Sequence, residues 1–199
     1  RGYLEVGPAL DPIEVPDRKV TRAEGDVHPF GNPHFYLDPV RVGSAAQLIA
    51  ERLGTLDASH ASDFTSRATA LAERLNAKAK AWQERVTRSD VKYVVTYHKT
   101  LNYFLDRFGV VSIATLEPKP GIPPTAGHIL DVIHGIRAQN VKLILIENYF
   151  DDAVARRIKK EVPDIRTVTV PVSVEGVPGL KTVDELIERL VSVVEGAGT

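Results

Sequence analysis

Val91-Lys92-Tyr93-Val94-Val95-Thr96, with His98 two residues beyond, opens a regular alternation of apolar runs and amphipathic stretches. The pattern predicts strands at 91–96, 110–116, 141–146 and 166–170. It predicts helices at 99–108, 125–138, 150–161 and 182–195. Strands alternating with helices indicate βαβ units, hence an α/β unit with a four-stranded parallel sheet flanked by helices. Ligand groups on such sheets sit beyond the carboxyl ends of the strands. His98 follows the first strand, Glu117 the second, and Glu147 the run Leu143-Ile144-Leu145-Ile146. All three are expected on one rim.

Upstream, Ala68, Leu71, Leu75, Ala79, Trp82 and Val86 recur every three or four residues. They predict a helix over 64–88, about 35 Å long at roughly 1.5 Å per residue. Asp38-Pro39 starts another helix, with Asp38 as the cap and Pro39 at the first position, ending near Gly54. Residues 1–38 are rich in Pro, Gly and Asp and read as irregular, with one short extended stretch from Pro12 to Val15. So much loop at the start of a domain, and a first residue that is Arg1 rather than Met, lead us to expect that an upstream part is missing.

The 199 residues are enough for a sizeable core, and 43% apolar with 26% charged residues is ordinary for a globular protein. A formal net charge of -1 argues against nucleic acid as a partner. The absence of Cys excludes disulfides, thiolate catalysis and Cys-type zinc fingers. No G-x-S-x-G, Walker loop or H-E-x-x-H is present.

His34 lies between Pro33, which straightens the chain, and the helix start at Asp38-Pro39. Two histidines held at the ends of regular elements, His34 and His98, suggest a metal site built across the fold, because a neutral imidazole binds best when its ring is fixed. The alternative is that each is a capping or core histidine. Glu147 either adds a carboxylate to that site or caps the helix that follows it. His28 is an auxiliary ligand or an exposed loop residue. His60 reads as a loop or helix-start residue, and His128 and His134 as surface or packing residues.

Gly31-Asn32-Pro33-His34-Phe35-Tyr36-Leu37-Asp38-Pro39 resembles the NPH-aromatic-aromatic-LDP motif of the cluster A-I metal-binding proteins, the solute receptors of zinc and manganese ABC transporters. Tyr97-His98-Lys99-Thr100-Leu101-Asn102-Tyr103-Phe104, with Arg107-Phe108-Gly109-Val110, is similar to a second family segment. Ile146-Glu147-Asn148-Tyr149-Phe150-Asp151 is similar to a third. The resemblance covers nearly the whole chain. It implies two α/β lobes joined by a long helix, with a divalent metal bound between them. Residues 1–63 would be the remainder of a truncated N-terminal lobe, 64–88 the interlobe helix and 89–199 the C-terminal lobe.

The resemblance makes His34 the N-lobe ligand and His98 the first C-lobe ligand, and imidazole there favours Zn(2+) over Mn(2+). The chain departs from the family twice. The family's first histidine has no counterpart after Arg1. The stretch Val170-Pro171-Val172-Ser173-Val174-Glu175 lacks the Asp that many members carry, leaving the fourth ligand open among Glu147, Glu175 and water. The implied function is a monomeric, non-enzymatic receptor, periplasmic or at the cell surface, that hands metal to an ABC transporter permease. The alternatives are a metal-dependent hydrolase with Glu147 as general base, and a family member that has lost its metal.

Overall fold

The computed structural model describes residues 2–18, 28–89, 91–119 and 121–196; residues 25–27, which lead into His28, lie outside them. Helix α1 (Pro39–Leu56) starts at the expected Asp38 cap, whose carboxylate accepts the Val40 and Arg41 N–H groups. Helix α2 (Ala61–Arg88) begins three residues earlier than the periodicity indicates and runs 28 residues, about 42 Å at roughly 1.5 Å per residue. The two helices lie close together. A Cβ added at Gly43 would stand 3.0 Å from the Ala72 backbone, so glycine permits this approach. Residues 12–15 form no strand: Glu14 takes a positive φ of 56°, which bends the chain.

All four predicted strands form: β1 (Tyr93–Thr96), β2 (Val111–Thr115), β3 (Leu143–Glu147) and β4 (Arg166–Val170). They are parallel, in the order β2-β1-β3-β4. From β1 the chain goes to one side to form β2 and to the other for β3 and β4. The topological switch point therefore lies between β1 and β3, where their carboxyl ends leave a crevice. The connecting helices are α3 (Asn102–Phe108), α4 (Ala126–Ala138), α5 (Ala153–Glu161) and α6 (Val183–Val194).

Side chains on one strand alternate between two cores. Val94, Leu143 and Leu145 join Trp82, Phe104, Phe108 and Leu190 under α2, α3 and α6. Val95, Ile144 and Ile146 join Ile133, Ile136 and Ile158 under α4 and α5. Polar contacts fasten α2 to α6: Arg74 and Lys78 pair with Asp184, Arg85 with Glu188 and Glu195, and the Trp82 indole N–H donates to Glu188. Among the described residues no helix is long and apolar enough to cross a membrane.

Candidate metal centre

His98 is delivered by the sheet. Beyond β1 the backbone keeps its ladder for one more residue, as the Tyr97 N–H donates to the Leu145 carbonyl at 3.0 Å. The next N–H, that of His98, donates to both oxygens of the Glu147 carboxyl group at 3.2 and 3.3 Å. Tyr97 stacks on Phe150 with ring centroids 4.1 Å apart. The half-buried His98 ring then meets Glu117, whose carboxylate contacts Nδ1.

His34 is delivered by side-chain clasps instead. Its backbone N–H donates to the Asn32 side-chain carbonyl at 2.9 Å. The Asn32 amide donates to Glu14 and to the Lys99 carbonyl, each at 2.9 Å. The Asn32 backbone carbonyl accepts the Tyr103 hydroxyl at 2.8 Å. Gly31 before it has φ 95°, and an added Cβ would come 2.8 Å from the Ile13 carbonyl, so only glycine suits this turn. Below the loop, buried Asp38 accepts from Arg41 at 2.6 Å and from two nitrogens of Arg107 at 2.8 and 2.7 Å. The loop is thereby tied to α3, in the sheet-bearing part of the chain.

The two histidines, 64 positions apart in sequence, meet with ring centroids 6.0 Å apart and planes at 88°. Two imidazoles sharing one tetrahedral zinc, at about 2.1 Å each, would have centroids about 5 Å apart. The observed spacing is close to that span. Each ring has an oxygen partner at Nδ1, Tyr36 Oη at 3.2 Å for His34 and Glu117 for His98, so each has Nε2 left for an ion. Burial first, then the charges of His98 and His28, lower the His34 pKa to about 4, against a smaller opposing pull from Glu14. The ring is therefore neutral at pH 7, as metal binding requires.

Glu147 is fully buried at the end of β3. Burial raises its pKa to about 8, and the Glu117 charge adds to this, although bonds from the backbone and from Thr100 oppose it. The sequence alone also allows it to cap the following helix. Instead its carboxyl group holds the His98 turn, and α5 starts only at Ala153, after Asp151 accepts the Ala153 N–H at 2.6 Å. A fully buried acid committed to a backbone N–H gives no support to the general-base role of the hydrolase alternative.

His28 is exposed, and it reaches His34 through its charge. Glu175 lies in the exposed turn after β4 with φ 62°, its N–H donating to the Leu180 carbonyl at 2.7 Å. Among the described residues, no group of three or more His, Asp or Glu side chains is arranged to hold a metal ion. His60 pairs with Asp57, the His128 ring meets the Thr115 carbonyl at 2.9 Å, and His134 is exposed. Sequence reasoning missed the Asn32 clasp and named Glu117 only for its place on the rim. The positions of both were legible, next to His34 and after β2.

The chain belongs to the family described as ZnuA: Zinc-uptake complex component A periplasmic, whose sequence profile matches residues 4–193. The zinc-binding lipoprotein AdcA of Streptococcus pneumoniae is 28% identical over 138 residues, covering 69% of this chain and 27% of its own length. A mutant structure of the laminin-binding adhesin Lmb from Streptococcus agalactiae has the same fold, with a TM-score of 0.81 at 23% identity, over 98% of this chain and 70% of that one. FpvC from Pseudomonas aeruginosa, solved in complex with Mn2+, matches with a TM-score of 0.66 at 25% identity, over 87% and 66%. The chain spans between about a quarter and a half of the length of the curated relatives it matches.

Proposed function

We propose that this chain is the metal-binding part of an extracytoplasmic receptor for an ABC transporter, capturing a divalent transition metal and passing it to a permease. Zinc is the favoured cargo and manganese the second. Binding takes place without chemistry on the ion. The observation that carries this reading is the His34–His98 pair, 6.0 Å apart with both Nδ1 atoms engaged. Two imidazole nitrogens favour zinc over manganese. The family description and the zinc-binding relative point the same way.

In this reading His34 and His98 donate Nε2, Glu147 supports the His98 turn and is a lesser candidate for the ion, and His28 is an outer, auxiliary group. We assign residues 1–63 to the remainder of an N-terminal lobe, 64–88 to the interlobe helix and 89–199 to the C-terminal lobe, acting as a monomer. Two protein nitrogens leave a tetrahedral ion half-coordinated, so this chain alone should bind weakly.

Isothermal titration with zinc tests the proposal. The chain should bind one zinc, and His34→Ala with His98→Ala together should abolish the heat. An absence of heat from the unmodified chain at zinc concentrations that saturate a weak two-nitrogen site would end the proposal.

A further inference from the structure

Glu117 lies outside the set of residues assigned above to the ion, and its surroundings define a task. It is 4% exposed, and its backbone continues the β2–β1 ladder. Leu116 donates to the Thr96 carbonyl at 2.8 Å, and Glu117 itself to the Tyr97 carbonyl at 3.2 Å. The Thr115 hydroxyl donates to the Glu117 carbonyl at 2.7 Å. One carboxylate oxygen accepts the Gly121 N–H at 3.0 Å, and the other meets His98 Nδ1. Both ends of the carboxylate are thus committed, on a stretch of backbone registered against the strand that carries His98.

An ionised carboxylate only accepts hydrogen bonds. Its contact with Nδ1 therefore requires the proton there, which in a neutral imidazole leaves the Nε2 lone pair free. At His34 the partner is the Tyr36 hydroxyl, which can donate or accept and so does not select a tautomer. We propose that Glu117 is the positioning residue of the site: it holds His98 in the Nδ1–H tautomer and presents Nε2 to the ion. This rests on the metal-site reading above. Carboxylate partners of this kind raise the basicity of a ligating imidazole, and their removal commonly costs about 10–100-fold in metal affinity.

The test has two arms on the whole chain. Long-range 1H–15N spectra of the metal-free chain at pH 8, with His98 assigned through His98→Ala, report the tautomer without any metal. Wild type and Glu117→Gln, which retains an acceptor oxygen, should show His98 as Nδ1–H. Glu117→Ala should shift it toward Nε2–H, with far-ultraviolet circular dichroism unchanged. In zinc titrations Glu117→Ala should lose about 10–100-fold in affinity and Glu117→Gln clearly less. A wild-type His98 in the Nε2–H form overturns the proposal even if Glu117→Ala fails to fold. So does zinc affinity in Glu117→Ala within twofold of a wild type that binds. Failure of the wild-type chain to bind zinc at all overturns the metal reading and this proposal with it.

Discussion

His34 and His98 reach the same spot by different means. His98 stands on a rim whose positions follow from strand register, with Glu117 and Glu147 brought beside it by β2 and β3. His34 stands on a loop with a single 3-10 turn, Phe35–Leu37, held by side chains that reach across the molecule. The Asn32 amide bonds to Lys99, 67 positions away, and Arg107 reaches Asp38 from 69 positions away. One half of the site is placed by the sheet, the other by a few polar clasps. The clasped half should therefore be the easier one to break.

The largest effect is expected at Asp38. Asp38→Ala leaves Arg41 and Arg107 without their shared buried carboxylate and removes the α1 cap. Breaking such a group from one side costs about 3–5 kcal/mol. Chemical denaturation should show a loss of that size, and a loss below about 1 kcal/mol would mean that the loop is held elsewhere. Asn32→Ala comes next, at about 2–3 kcal/mol, because it strips the partner from the His34 N–H and the Lys99 carbonyl. Zinc affinity should fall with it, since the side-chain tie from the His34 loop to Lys99 is lost while those at Tyr103 and Arg107 remain.

The smallest effect, and one belonging to the sheet side, lies in the pH dependence of stability. Glu147 is raised from 4.5 to about 8, so the folded chain holds a proton there that the unfolded chain releases. Its contribution is fully present below about pH 4.5 and is lost as pH rises toward 8. His34 is lowered from 6.5 to about 4, so its contribution is present above 6.5 and is lost as pH falls toward 4. The two oppose each other between 4.5 and 6.5 and leave the Glu147 loss alone between 6.5 and 8. The melting temperature of the metal-free chain should decline over that upper window, and Glu147→Gln should flatten the decline. An equal decline in both would assign it to another group.

The same contrast explains what was legible in the sequence. Strand and helix periods are local, so the four strands and their order along the chain could be read directly, and with them the rim that carries His98, Glu117 and Glu147. The His34 motif was legible as a loop fixed before a helix. The Asn32 clasp was not, because its partners come from distant segments that only the fold brings near. Two boundaries shifted for the same reason. Helix α3 starts at Asn102 rather than 99, because the His98 turn is captured by Glu147. Helix α5 starts at Ala153 rather than 150, because Phe150 is stacked on Tyr97. The expected extended stretch at Pro12–Val15 gave way to a bend in which the Ile13 carbonyl accepts the Asn32 N–H at 2.9 Å.

The central claim is that one ion is shared by two imidazoles supplied by these two regions. Zinc K-edge X-ray absorption on the zinc-loaded chain counts them directly. Two imidazole ligands should be seen, falling to one in His34→Ala and to one in His98→Ala. A zinc spectrum with no imidazole scattering, or one unchanged by either substitution, would contradict it.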